Sequence, residues 1–135
     1  MDPLTPEERS ERMSRIGPKD TQPELTVRRL VYSMGYRYRI HDAGLPGRPD
    51  LVFRGRQKVI FVHGCFWHQH KGCTIYRMPK SRQDFWLPKL KENKARDRRN
   101  MSKLQRMGWG VLVIWECELG DLDALRDRII SFLEE

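Results

Sequence analysis

The sequence lacks any hydrophobic run that approaches the roughly 20 residues needed to cross a bilayer. Residues 1–15 are rich in charge and have no apolar stretch of the kind found in secretory signal peptides. Both absences predict a cytoplasmic protein with no membrane association. Internal repeats, low-complexity tracts and Gly/Ser-rich linkers are also absent, so we expect a single domain that spans residues 1–135.

Acidic residues are in the minority. The chain has 18 Asp and Glu against 26 Lys and Arg, which gives a formal net charge of +8 at pH 7. Such an excess favours a polyanionic partner, because each Lys or Arg placed against a phosphate releases a condensed counterion. Solvated basic faces on an ordinary soluble protein would give the same composition, so charge alone does not identify the partner.

Cysteine is scarce, and three cysteines in a cytosolic chain predict metal binding rather than a disulfide framework. Cys65 and Cys73 lie in segment 63–73, which also holds three of the four histidines, and Cys117 follows a predicted strand. A structural zinc ion takes four thiolate or imidazole ligands, so these cysteines and one nearby histidine form a candidate Cys3His site. Two residues separate His70 from Cys73, but spacing leaves the choice of histidine open. The alternative is a set of unrelated buried thiols and surface histidines.

The hydrophobic pattern predicts helix, three strands, helix, strand and helix, after a short N-terminal helix. The elements are a polar helix ending near Ile16, a helix between the Thr21 capping box and Gly35, strands at 36–40, 51–53 and 58–63, a long helix that ends at Met107, a strand at 109–115, and a helix capped by Asp121. The long helix can start at residues 81–84, but Pro88 favours a start near Leu87. The last strand must cross over through the long helix, whose face at 89–106 is strongly basic. We therefore expect an α/β fold with a restriction-endonuclease-like mixed sheet flanked by helices, together with a structural zinc site.

A lone carboxylate stands where a loop becomes the second of these strands. Asp50 follows Gly47-Arg48-Pro49, and Mg²⁺ prefers one or two carboxylates with water and substrate phosphate as its other ligands. The next strand, Val59–His63, has neither acid nor lysine and ends in histidine, whose imidazole can take a proton from water near neutral pH. His63 and His68 are therefore candidate catalytic residues. Alternatively, Asp50 caps a turn and the histidines are ordinary surface or core residues.

A resemblance to a known family extends from Met13 to Cys117 and rests on five motifs. They are LPGRPD at 45–50, VIFVHGCFWH at 59–68, FWL at 85–87, RDRR at 96–99 and VIWEC at 113–117. Together they resemble the very short patch repair (Vsr) endonucleases, which nick DNA 5′ to the thymine of a thymine–guanine mismatch left by deamination of 5-methylcytosine. The resemblance implies Mg²⁺-dependent phosphodiester hydrolysis on mismatched double-stranded DNA, with mismatch-repair proteins as a further candidate partner. A single nick requires one active centre, so we expect a monomer.

The resemblance also implies roles for single residues. Asp50 would hold Mg²⁺ together with the backbone carbonyl of Val62, His68 would be the general base, and His63 would assist at the phosphate or the leaving oxygen. Glu24, in the Thr21 capping box, matches an acidic residue near the active site. The zinc ligands would be Cys65, His70, Cys73 and Cys117.

Four hydrophobic residues are implied in DNA binding. Phe66, Trp67 and Trp86 correspond to aromatic residues that wedge into the base stack beside the mismatch. Met13, on an N-terminal arm at 1–17 that would dock on DNA, corresponds to a residue that enters from the opposite groove. A wobble pair stacks poorly, so opening it costs less than opening a matched pair. The alternative for Phe66 and Trp67 is packing inside the zinc loop.

Two other functions would use parts of the same sequence. A restriction-type or transposon-associated nuclease would cut matched DNA with the same centre. A zinc-stabilised DNA-binding module would have no catalytic activity, and such a module has no need of Asp50 with two spare histidines.

Overall fold

The computed structural model describes residues 21–40, 42, 44–65 and 83–135. The predicted N-terminal helix ending near Ile16 lies outside the described residues. No helix within the described ranges is long and apolar enough to cross a membrane. The elements of these ranges are α1 (Gln22–Ser33), β1 (Leu51–Phe53), β2 (Lys58–His63), α2 (Gln83–Arg106), β3 (Gly110–Trp115) and α3 (Leu122–Leu133).

Helix α1 begins and ends where its sequence signals predict. The Thr21 hydroxyl accepts a hydrogen bond from the Glu24 N–H, and the Glu24 carboxylate accepts one from the Thr21 N–H, both at 3.4 Å. This reciprocal capping box satisfies two backbone donors that the helix itself leaves unpaired. At the other end Gly35 takes φ +94°, and the Tyr36 N–H donates back to the Val31 carbonyl, which closes the last turn.

The described strands form one mixed sheet in the order β1-β2-β3. Strand β1 is antiparallel to β2, and β2 is parallel to β3, with His63 opposite Trp115. The parallel pair requires a crossover connection, which contains α2, as predicted. The mixed α/β sheet flanked by helices is confirmed.

The predicted strand at 36–40 is wrong for most of its length. It contributes one bridge, between Arg39 and Val52, through two backbone hydrogen bonds of 2.8 and 3.0 Å. Strand β1 has only three residues, so it offers a neighbour little to pair with. The alternating tyrosines pack elsewhere: the Tyr38 hydroxyl donates to the Arg28 carbonyl and that of Tyr36 to Glu134.

Of the two starts that the sequence allowed for α2, the favoured one is wrong. Pro88 favoured a start near Leu87, whereas the helix begins at Gln83, within the alternative start at 81–84, and passes through the proline. Proline removes one N–H donor, and at the sixth position this affects a single hydrogen bond close to the helix end. The predicted C-terminal stop is confirmed: Gly108 takes φ +89°, and the Trp109 N–H donates to the Leu104 carbonyl at 3.0 Å.

Hydrophobic side chains cover both faces of the sheet. On one face, α1 and α3 pack through Val27, Leu30, Val31, Leu125, Ile129 and Leu133 against Leu51, Phe53, Ile60, Leu112 and Ile114. On the other face, α2 contributes Leu104, which packs with Leu45, Val52, Val59 and Phe61. Because β1 is antiparallel to β2 and β2 is parallel to β3, the start of β1 and the ends of β2 and β3 lie at the same edge of the sheet.

Candidate active site

A tight turn sets the position of Asp50. The Arg48 N–H donates to the Leu45 carbonyl at 3.2 Å, and Gly47 has φ +78°. Proline at the second position and glycine at the third are typical of a type II turn, because the third residue must adopt positive φ. An added Cβ at Gly47 would lie 3.0 Å from the Asn100 Cβ of α2, so this turn is seated against the long helix.

The Asp50 carboxylate is tied to the second strand. Its Oδ2 accepts a hydrogen bond of 2.6 Å from the Val62 N–H. This bond lies just beyond the β1–β2 ladder, in which Leu51 pairs with Ile60. Asp50 is thereby held at the sheet edge where β2 ends, next to the peptide group of residue 62.

A second carboxylate reaches Asp50 from α1. Glu24 is 2% exposed, and its carboxylate lies close enough to Asp50 to raise the pKa of that acid. Its Oε1 accepts a bond of 2.6 Å from Arg28, one helical turn later. The capping box that starts α1 therefore also carries an acid into the candidate site.

Asp50 is reluctant to ionise in the metal-free protein. Loss of water and the neighbouring Glu24 together raise its pKa to about 8, although the Val62 N–H and Arg28 each lower it. Without a cation, Asp50 therefore keeps its proton at neutral pH. A divalent cation can take the place of that proton, and carboxylate oxygen is the ligand that Mg²⁺ prefers. The described residues therefore fit a magnesium site.

His63 is buried at the end of β2. It is 5% exposed, with its ring edge-on to Trp115 at 5.2 Å and tilted to Phe61 at 5.7 Å between centroids. These contacts lie on the face of the sheet that α2 covers. His63 thus adjoins the residue that hydrogen-bonds Asp50, from within the protein rather than from its surface.

Two of the four predicted zinc ligands occupy matching positions. Because β2 and β3 are parallel with His63 opposite Trp115, Cys65 and Cys117 each follow their strand by two residues. The Cys65 N–H donates to the Glu116 carboxylate at 3.3 Å, which joins the two strand ends. Thiolates at adjacent strand ends fit a zinc site that draws its other ligands from the following loop. Within the described residues alone, no group of three or more metal-ligating side chains occurs.

Several predicted site residues lie outside the described residues: Met13, Phe66, Trp67, His68, His70, Cys73 and the arm at 1–17. Of the predicted wedge residues, Trp86 is described. It is half-buried in the first turn of α2, with the Phe85 ring edge-on at 5.0 Å.

The resemblance implied an acid near the active site at Glu24, and the structure places this side chain beside Asp50. Sequence reasoning passed over Arg28, although an acid and a base four residues apart on a helix are a known pairing signal. The contact between Glu24 and Asp50 joins residues 26 positions apart, so no local pattern predicts it.

The fold is similar to that of a domain of known structure. It is similar to the catalytic domain of the homing endonuclease I-Bth0305I, with a TM-score of 0.56 and 22% identity over 84% of this chain and 94% of that domain.

Sequence comparison gives the family. The family model described as DNA mismatch endonuclease Vsr matches residues 1–74. The chain is 51% identical to the type II nicking enzyme V.XorIIP of Xanthomonas oryzae pv. oryzae over 133 residues, which cover 98% of this chain and 97% of the relative. It is 44% identical to the DNA mismatch endonuclease Vsr of Escherichia coli K12 over 123 residues, covering 91% and 78%. The chain belongs to the Vsr family of DNA mismatch endonucleases, as its motifs predicted.

Proposed function

We propose that this protein nicks DNA 5′ to the thymine of a thymine–guanine mismatch by Mg²⁺-dependent phosphodiester hydrolysis, in very short patch repair of deaminated 5-methylcytosine. One observation carries the catalytic part: the Asp50 carboxylate accepts a hydrogen bond of 2.6 Å from the Val62 N–H and lies beside the buried carboxylate of Glu24, which raises its pKa. Two neighbouring acids with restricted access to water are a site for a divalent cation. Family membership supports the choice of DNA as the substrate.

The proposed role of each residue follows from the chemistry of its side chain or backbone group. Asp50 and the backbone carbonyl of Val62 would hold Mg²⁺, which supplies positive charge to the phosphate oxygens. His68 would take the proton from the attacking water, and His63 would assist at the phosphate or the leaving oxygen. Glu24 would add negative charge at the cation site.

A structural zinc ion is the second proposed cofactor. Cys65 and Cys117, at the adjacent ends of β2 and β3, would bind it together with His70 and Cys73. Zinc would then fix the loop that carries His68 to the sheet edge beside Asp50. Metal analysis tests the ligand set: His70→Ala protein that retains one zinc per chain would contradict it, and Cys117→Ser should lose the ion.

Mismatch recognition is proposed to use hydrophobic insertion. Phe66, Trp67 and Trp86 would enter the stack beside the mismatch, and Met13, on the arm at 1–17, would enter from the opposite groove. The E. coli relative is named a mismatch endonuclease, which supports this substrate over matched DNA. We expect the protein to act as a monomer, with mismatch-repair proteins as candidate partners.

The decisive experiment is a nicking assay on two duplexes that differ at one base. A duplex with a single thymine–guanine pair and its thymine–adenine counterpart are incubated with the protein and Mg²⁺, and parallel reactions contain a chelator. The expected result is one nick 5′ to the mismatched thymine, which chelation abolishes. Asp50→Ala should abolish nicking while DNA binding remains, and Asp127→Ala, at an exposed aspartate of α3, is the matched control.

Three other outcomes would each contradict a different part of this proposal. Equal nicking of both duplexes would identify a nuclease for matched DNA. Binding without nicking would identify a DNA-binding module. Nicking by Asp50→Ala at the rate of the control would remove the proposed metal ligand.

A further inference from the structure

Arg48 has a backbone conformation that arginine rarely adopts. Its φ is +48°, in the left-handed region that costs a non-glycine residue about 1–2 kcal/mol. It also precedes Pro49, and a following proline disfavours helical backbone angles. Gln57 is the other non-glycine residue with positive φ in the described part of the chain, and it lies in the tight turn between β1 and β2.

The surrounding structure imposes this conformation. On one side, Gly47 leaves no room for a Cβ against Asn100 and Phe61 of the core. On the other side, Pro49 is buried and Asp50 is tied to the Val62 N–H. Strain that is maintained by such a frame is found at binding and catalytic sites.

The Arg48 side chain is exposed, although its neighbours Gly47 and Pro49 are packed or buried. Arg28, Arg54 and Arg128 each form an ion pair with a carboxylate. Among the residues the structure describes, the Arg48 guanidinium has no such partner and no side-chain hydrogen bond. An arginine with all its donors available therefore stands two residues from the candidate metal ligand.

We propose that Arg48 binds a backbone phosphate of the DNA strand that is cut at Asp50. Two residues span at most about 7 Å, so a guanidinium at position 48 can reach a phosphate beside the one at Asp50. The planar guanidinium donates two parallel hydrogen bonds to phosphate oxygens, and the fixed turn presents it at little entropic cost. This inference rests on the proposed function, because it names the contact that would position the strand.

The test uses variants that separate the guanidinium from the backbone conformation. Arg48→Gly removes the side chain and adopts positive φ freely, so its Tm should equal or exceed that of the wild type. Arg48→Ala removes the same group but keeps the strain, so its Tm should be lower than that of Arg48→Gly. Gln57→Gly is the control for strain alone, and Arg126→Ala, at a surface ion pair of α3, is the control for charge alone.

Arg48→Gly should lower kcat/KM for nicking by about 10- to 100-fold, the effect of losing hydrogen bonds to a charged group. In chelator, the slope of log K against log salt should fall by about 0.9, the value for one phosphate contact. Arg48→Lys should restore the salt slope and part of kcat/KM, because lysine supplies the positive charge but not the bidentate hydrogen bonds of the guanidinium group. Neither control variant should change these values.

Unchanged kcat/KM in a stable Arg48→Gly protein would overturn the inference. A loss of nicking with an unchanged salt slope and no rescue by lysine would assign Arg48 a purely structural role, and so would also overturn it. Failure of the proposed function looks different: the wild type itself would not nick the mismatched duplex. The salt slope of binding would then still decide whether Arg48 contacts phosphate.

Discussion

The position of Asp50 restricts its access to water, which favours the protonated form of its carboxyl group. The same carboxyl group must lose its proton to bind a cation. Burial and Glu24 raise its pKa from 3.8 to about 8, so the folded, metal-free protein keeps a proton that the unfolded chain releases at much lower pH. The folded state then binds more protons than the unfolded state between these two values. By linkage, this group makes the metal-free protein less stable as pH rises through that interval.

Asp50→Asn should remove this pH dependence. In chelator, the Tm of the wild type should fall relative to that of Asp50→Asn as pH rises from 5 towards 8, because asparagine does not ionise. Thermal unfolding of both proteins across this range measures the difference, and Asp127→Asn is the control at an exposed position. A difference in Tm that stays constant with pH would show that Asp50 ionises normally in the folded protein.

Glu24 combines two roles that substitution can separate. Glu24→Gln keeps an oxygen for the Thr21 N–H but removes the negative charge beside Asp50, so nicking per folded molecule should fall about 10- to 100-fold. Its Tm should also fall, because the partly buried Arg28 loses its charged partner. Thr21→Ala does the reverse: it removes the hydroxyl cap, should cost about 1 kcal/mol of stability, and should leave nicking nearly intact. Equal losses of nicking in the two variants would mean that Glu24 acts only through α1.

The turn before β1 acts as an element that joins Asp50 to α2. Gly47→Ala should destabilise the protein and reduce nicking, because its Cβ would lie 3.0 Å from the Asn100 Cβ and 3.2 Å from the Phe61 ring at φ +78°. Gly35→Ala is a matched control, since it has φ +94° and nothing within 4 Å of its Cβ. The control should lose about 1 kcal/mol through backbone strain alone.

Urea unfolding and nicking rates of both alanine variants give the comparison. Gly47→Ala should lose more stability than Gly35→Ala, and only Gly47→Ala should lose activity per folded molecule. If the two variants behave alike, the contact between the turn and α2 does not position Asp50.

Elements whose signals are local could be predicted from the sequence. The capping box and Gly35 delimit α1, and Gly108 ends α2, because these residues satisfy or release backbone groups within one turn. The strand at 36–40 could not be predicted, because its length depends on how many residues β1 offers for pairing. The start of α2 depends on the segment before it, and Pro88 was given more weight than one lost hydrogen bond deserves.

The candidate site divides in the same way. Asp50 could be predicted because Pro49 and a following apolar strand mark a carboxylate at a sheet edge. Cys65 and Cys117 follow adjacent parallel strands at matching positions, but their role as zinc ligands stays a prediction. The resemblance implied an acid near the active site at Glu24, but its position beside Asp50 and its ion pair with Arg28 arise from packing α1 against the sheet, which no local pattern predicts.

At the scale of the whole molecule, α2 presents a strongly basic face to solvent. Between Lys89 and Arg106, six exposed residues of α2 are basic and Glu92 is the exposed acid: the basic residues are Lys91, Arg96, Arg98, Arg99, Lys103 and Arg106. The opposite side of the helix packs on the sheet through Leu90 and Leu104. This basic face of α2 would hold DNA by its phosphates irrespective of sequence.

The salt dependence of DNA binding tests this role of the basic face. Lys91 and Arg98 are seven residues apart, so they lie on the same side of α2. Replacing both with alanine should lower the slope of log K against log salt by about 1.8 if both contact phosphates. The loss of affinity should be the same for mismatched and matched duplexes, because phosphates carry no sequence information.

The control is Arg54→Ala with Arg126→Ala, which removes the same charge from surface ion pairs elsewhere. A slope that falls equally in the control would mean that net charge, rather than the basic face of α2, attracts the DNA.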